Sequence, residues 1–308
     1  MFATLLGGLP RPPLPDAAPS GDLVAAAVRA QEAAGLELLI DGGLWGNDEL
    51  GTVVERWHAT AALTDRTVKA AVLGPWSGTR AATSDSAAES NARERDLAMA
   101  ADATNAVLRE LAAAGCPLVE VHEPAVISLG QDPLIRGRFV EAQRRVLDGL
   151  DGLHVSLAIT GGSAEEAGID TLLGASYSSL ALDLIRGPDN WRIAAAAPSP
   201  IGIICGAMTS DAAGDEAVEI LLYALNYAAS TAGRGPDRVG VATAGSLAGV
   251  AWEVAERRMR RLGEAVRVAA GSADERADAL DPRAVSIRSA ALGTAGVRRA
   301  KGRSTRSS

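Results

Sequence analysis

Short β-branched or leucine-rich runs alternate strictly with Ala-, Glu- and Arg-rich helical patterns along most of the chain, and this alternation constrains the fold more than any other feature. Eight such runs occupy residues 3–8, 36–42, 68–74, 118–123, 153–158, 179–184, 201–206 and 239–245. Helices are expected over residues 22–34, 48–63, 87–114, 135–150, 164–173, 189–197, 215–232 and 247–262. Repeated βα units build a parallel sheet, and eight of them close on themselves, so the expected fold is α/β with a single (β/α)8 TIM barrel. Such a barrel takes about 250 residues, which residues 1–264 supply as one domain. An open doubly wound sheet is the competing architecture, but Gly7-Gly8-Leu9-Pro10 after the first run is not its GxGxxG fingerprint.

Boundary residues agree with this division. Gly35, Gly115 and Gly233 each follow a helical pattern where a left-handed cap is wanted. Asp22 and Ser163 stand where a side-chain oxygen can cap a helix start, and Ser163 has Glu166 at capping-box spacing. Residues 265–308 lose the pattern, and residues 289–308 carry five basic side chains and no acidic one, the composition of a disordered tail.

Composition narrows the partners. A net charge of −8 and 3% aromatic residues leave no basic, stacking surface for nucleic acid. The most apolar stretch, residues 193–208, is interrupted by Pro198 and Pro200 and falls short of the roughly 20 residues of a membrane span. The N-terminus has no basic residue before its apolar run, so a cytoplasmic location and a small-molecule partner are expected. Cys116 and Cys205 form no CxxC pair and read as small buried hydrophobes. Only two of the 30 cationic residues are lysines, Lys69 and Lys301, a compositional bias that by itself indicates no function.

In a barrel, chemistry sits at the carboxyl ends of the strands. Polar candidates there are Asp41, Asn47 and Asp48 after the second run, Trp76 after the third, His122 and Glu123 at the end of the fourth, and Asp183 in the sixth. The fifth run places His154 and Ser156 on one face, and Cys205 lies in the seventh. Histidine suits proton transfer near neutral pH. Each candidate also has a structural reading, since Asp48 and Asp183 can cap helices and a strand histidine can be a satisfied packing residue.

Four segments carry a resemblance. Residues 4–10 are similar to a first-strand Gly-Ser-Phe-Pro element, and residues 35–48 (GLELLIDGGLWGND) to a G-L-D-x-L-x-x-G-E-x-x-R-N-D segment. Residues 68–75 (VKAAVLGP) are similar to V-K-G-x-x-x-G-P, and residues 120–126 (EVHEPAV) to Q-I-D-E-P-A-L. In this order they resemble the catalytic barrel of cobalamin-independent methionine synthase, within the superfamily of uroporphyrinogen decarboxylase. Only one barrel is present, so the chain resembles a short, core-only type.

The resemblance implies a zinc ion that activates a substrate thiol, held by His-x-Cys, a Glu and a final Cys. Here His154 matches, Ser156 replaces the first Cys, Asp183 falls near the Glu, and Ala244 replaces the last Cys. Loss of both thiolates argues against zinc, and His154, Asp183 and Cys205 are the one rearranged ligand set available. The positions implied to hold homocysteine read Gly8, Gly43 and His122, which removes the carboxylates an ammonium group would need.

The expectation is a zinc-independent methyl or one-carbon transferase rather than a true methionine synthase. His122 and His154 would be acid–base groups oriented by Glu123 and Asp48, with Gly8, Asp41, Asn47, Ser156 and Asp183 lining the substrate. Trp76 would stack on a flat, folate-type methyl donor. The alternatives are a non-catalytic barrel that binds a ligand or partner subunit, including another copy of itself, and a decarboxylase-like enzyme using Arg11 and Arg80.

Overall fold

Parallel strands need crossovers, and here consecutive strands pair as neighbours through intervening helices, which rolls the sheet. The computed structural model describes residues 1–46, 51–79, 87–212, 214 and 217–280. Its strands are β1 (Phe2–Ala3), β2 (Leu38–Leu39), β3 (Thr67–Val68), β4 (Ala70–Leu73), β5 (Leu118–His122), β6 (His154–Ile159), β7 (Ser179–Asp183), β8 (Gly202–Met208) and β9 (Val239–Thr243). Seven form one parallel sheet in the order β1-β9-β8-β7-β6-β5-β4, and β2 pairs with β3 beside it. The helices are α1 (Ser20–Ala34), α2 (Val53–Ala61), α3 (Pro75–Thr79), α4 (Ala87–Ala113), α5 (Pro133–Leu147), α6 (Ile169–Leu172), α7 (Asn190–Ala196), α8 (Val218–Ser230), α9 (Trp252–Ala269) and α10 (Ala273–Leu280).

The closed eight-stranded ladder expected from the alternation is instead a curled sheet with a seam. β3 and β4 are one strand interrupted at Lys69, whose amide still reaches the Leu39 carbonyl at 3.0 Å. Between β1 and β2 the backbone contact is Glu37 N–H to Ala3 O at 3.2 Å, joined by the Thr4 hydroxyl on Leu38 O at 2.7 Å. Gly42 and Gly43, at φ +72° and +67°, turn the chain away soon after β2 and stop that ladder from growing. A gap therefore opens between residues 40–43 and β4.

The two faces of the sheet differ in kind. The outer face packs Val119, Val121, Leu157, Leu180, Ile203 and Val241 against the helices. The inner face carries Leu6, Ala158, Ala181, Ile204 and Ala242, with Phe2 at one end. The three alanines at these inner positions leave room for polar groups on the same face.

Several local expectations shift. Helix α1 begins at Ser20, so Asp22 lies in its first turn and is not the cap, while Gly35 ends it in the left-handed region at φ +85°. Thr52 forms the capping box, with Glu55, that starts α2. Residues 164–173 break at Gly168, φ +84°, into a 3-10 turn and α6, and the Ser163 hydroxyl accepts from Glu165 N–H at 3.2 Å in place of a capping box. The boundary expected at 264 falls inside α9, which buries Ala265 and Val266, and α10 then packs on α8 and α9.

Candidate functional site

Strand parity selects what faces the barrel axis. On β5, Glu120 and His122 point inward with Ala158 and Ser156 beside them in register, and Glu123 points outward. Lys69, at the break in the third strand, reaches the same interior. Its ammonium donates to the Leu5 carbonyl at 2.8 Å and forms an ion pair with Oε1 of Glu120. The other oxygen of Glu120 meets Nε2 of His122 at 3.2 Å. Lys69 and Glu120 are fully buried, whereas the His122 side chain keeps 17% of its surface.

These groups form the floor of a cavity of about 360 Å³ at the carboxyl ends of β1, β2, β4 and β5. Ile40, Val53, Trp57, Val68 and Ala71 are among the apolar walls, and Gly7, Gly8, Asp41, Gly43 and Arg56 also line it. The cavity reaches α2 through the gap left by the short β2–β3 ladder. Trp57 is fixed there by its indole N–H on the Val68 carbonyl at 2.9 Å.

Burial lowers the Lys69 ammonium below its ordinary range, opposed by the charge of Glu120. Burial alone would raise Glu120, but the Lys69 charge and the His122 hydrogen bond outweigh it and hold the carboxyl below its ordinary value. An ionised Glu120 only accepts, so Nε2 of His122 must carry a proton. In the neutral imidazole, Nδ1 is then the basic nitrogen, with no partner among the described residues.

Of the residues singled out from the sequence, Gly8, Asp41 and His122 meet at this cavity. Asp41 is held by the Gly43 N–H on Oδ1 at 2.8 Å, and Gly8 donates its N–H to the Ser246 hydroxyl at 3.1 Å. Asn47 and Asp48 lie outside the described residues, as does Arg80. Glu123 is not in the cavity: its carboxylate, buried on the outer face, accepts from Trp76 N–H at 3.1 Å, Ser77 N–H at 2.7 Å and the Gln143 amide at 2.7 Å. Trp76 is likewise buried in the helical layer, edge-on to Phe139, so the aromatic wall expected from it is provided by Trp57. Arg11 donates to the Pro15 and Asp16 carbonyls of its own loop, away from any carboxylate-binding role at the mouth.

His154 sits at the opposite end of the sheet. It pairs with Leu118 while His122 pairs with Ala158, four residues further along, roughly 13 Å at ~3.3 Å per residue. Its Nε2 meets the Ser179 hydroxyl at 2.9 Å beside a separate hollow lined by Phe2, Leu38 and Ile203. Ser156 faces the axis between these levels, buried, its hydroxyl without a hydrogen-bond partner among the described residues. Asp183 is spent on backbone, accepting from Gly161, Ile185 and Arg186 N–H groups at 3.0, 3.0 and 2.8 Å. Cys205 points outward onto the Ala224 carbonyl of α8, and burial pushes its thiol up to about 12.

His154, Asp183 and Cys205 thus occupy the bottom, the top and the outside of the sheet, and cannot share an ion. Level with His122, β6 offers Ala158 and then Thr160, and Ala244 follows β9, so among the described residues this end of the sheet supplies no thiolate. Among the described residues no three His, Cys, Asp or Glu side chains cluster as metal ligands would. The described residues do not fit the zinc ion that the sequence resemblance implies.

The position of His154 has a measurable consequence. Burial holds its imidazole below the ordinary 6.5, so the unfolded chain binds the extra proton first and stability is lost as pH falls through and below that value. His154→Gln keeps a hydrogen bond for Ser179 and is expected to flatten the loss of stability between about pH 7 and about pH 5. Urea midpoints at both pH values check this; equal losses in the two proteins would show that His154 does not titrate with folding.

Lys69 and Glu120 were not among the residues the sequence singled out. Both lie inside the resembling segments, and the period-two pattern puts Glu120 on the face of His122. No rule of spacing joins a strand-three lysine to a strand-five carboxylate 51 positions away.

No protein-family model matches the sequence, and neither does any curated protein. Solved structures do match. The chain superposes on a B12-independent methionine synthase from Shewanella sp. W3-18-1 with TM-score 0.68 at 16% identity, over 86% of this chain and 97% of that one. A vitamin-B12 independent methionine synthase-like protein from Listeria monocytogenes gives 0.61 at 14%, over 87% and 96%. A methyltransferase from Methanosarcina mazei gives 0.58 at 12%, over 86% and 93%. At such identities the likeness is one of fold alone, a curled parallel sheet flanked by helices. Among the described residues no helix is long and apolar enough to cross a membrane.

Proposed function

We propose that the two sheets together make a (β/α)8 barrel whose mouth transfers a methyl or other one-carbon group from a folate-type donor to a small-molecule acceptor, without thiolate-bound zinc. The observation that carries this reading is the histidine held on a buried carboxylate inside the cavity. With Nε2–H fixed on Glu120, Nδ1 of His122 takes the proton of an acceptor X–H as X attacks the one-carbon unit. The donor nitrogen leaves with the bonding pair and recovers a proton from the imidazolium, so His122 ends as it began. Lys69 keeps Glu120 ionised and therefore keeps the tautomer correct. Trp57 and Ile40 offer an apolar wall for a flat donor. An acceptor without an ammonium group suits a lining in which Gly8, Gly43 and His122 stand where amino-acid-binding side chains are implied.

The test is single-turnover release of demethylated folate from 5-methyltetrahydrofolate with a panel of thiol acceptors that carry no ammonium group. His122→Ala, partly exposed and expected to fold normally, should slow transfer by about a hundredfold. Absence of turnover, or an unchanged rate in the variant, would overturn the reading; donor binding without turnover would replace it with a ligand-binding barrel.

A further inference from the structure

Lys69 is the one lysine among the described residues, because Lys301 lies outside them and every other cationic residue of the 30 is arginine. A chain so biased towards arginine has a lysine at an interior position where an ion pair to Glu120 is made. Arginine is the usual residue for buried ion pairs, with a planar fork that matches a carboxylate. What lysine offers and arginine does not is a side chain that can lose its proton and act as a nucleophile. A buried ion pair adds little net stability over apolar packing, so stability alone does not account for the pair.

We propose that Lys69 is an imine-forming amine, whose buried Nζ, paired with Glu120 beneath the cavity that both residues line, condenses with the carbonyl carbon of a small aldehyde or 2-oxo acid. The surroundings provide each proton movement. Transfer of one proton from the ammonium to Glu120 removes two buried charges at once and leaves a neutral amine. The amine adds to the carbonyl carbon, and the former carbonyl oxygen takes up a proton as the amine loses one, giving a carbinolamine. Its hydroxyl then leaves as water with a proton from Glu120 or His122, and the imine remains. No oxidant or reductant is consumed. Burial favours the neutral amine in the same sense. This is a second chemistry for the same cavity, and it does not require one-carbon transfer.

The full chain, incubated with glyoxylate and cyanoborohydride, converts any imine to a stable secondary amine that peptide mass mapping locates. Lys301 is an internal standard for unassisted reaction. Labelling at Lys69 is expected to be at least about tenfold faster than at Lys301. Lys69→Arg should abolish the fast adduct and leave that at Lys301; the comparison within the unmutated chain decides the matter even where this variant fails to fold. Labelling confined to Lys301, or equal at both lysines, would overturn the proposal. No folate is present, so either result leaves the transferase reading to its own test.

Discussion

Glu120→Ala should destabilise the fold by about 3–5 kcal/mol, because it strands the Lys69 ammonium in the interior with the Leu5 carbonyl as its remaining partner. The loss belongs to the uncompensated charge and not to the pair as such. Replacing both members by apolar residues of similar volume, Lys69→Met with Glu120→Leu, is therefore expected to recover most or all of the stability. Urea unfolding of the two singles and the double closes the cycle. Glu120→Ala as stable as the unmodified protein would mean that the amine is already neutral or finds water. Acid should act in the same direction as the mutation. The depressed Glu120 carboxyl contributes stability above the ordinary carboxylate range, and that contribution is lost as pH falls through its lowered value.

The fold was legible because alternation of strand and helix is written locally, residue by residue, along the chain. Sheet order followed from it, since consecutive parallel strands pair as neighbours. Closure was not, because it depends on how far β2 runs, and two glycines in the left-handed region end it early. The site was read in part. His122 and Asp41 end strands, and their neighbourhood follows from that alone. Glu123 differs from His122 by a single position, yet one step along a strand moves a side chain from the axis to the helical layer. His154 shows the complementary error: correct in parity, it begins its strand instead of ending it. Strand polarity places the two histidines at opposite ends of the sheet, and the residue types alone do not show which end each occupies. The Lys69–Glu120 pair is a tertiary contact between distant segments, beyond the reach of local patterns.

Gly74→Ala should cost about 3–5 kcal/mol, a large effect for one methyl group at the edge of a cavity. A Cβ at this position would fall inside the Glu123 carboxyl group, so the carboxylate must leave its site. Three groups then lose their acceptor: the Trp76 and Ser77 amides that open α3, and the Gln143 side chain on α5. Gln143 also accepts from the buried Tyr177 hydroxyl, so the disturbance extends to the segment entering β7. Each buried polar group left unpaired costs about 1–3 kcal/mol, and relaxation recovers only part of the sum. Burial already raises the Glu123 carboxyl against the pull of its donors, so there is no apolar refuge for it in ionised form. If the cost arises through Glu123, the mutations must be strongly non-additive: Gly74→Ala with Glu123→Ala should be no less stable than the worse of the two singles. Additive losses would assign the effect to the methyl group itself. The same geometry explains why Gly74-Pro75 and Glu123-Pro124, which fall in separate resembling segments of the sequence, belong together. The glycine makes space for the carboxylate, the proline starts α3, and the carboxylate caps that helix. Glu123 is therefore a positioning residue, holding β4, α3 and α5 around the outer side of the strand whose inner face carries His122.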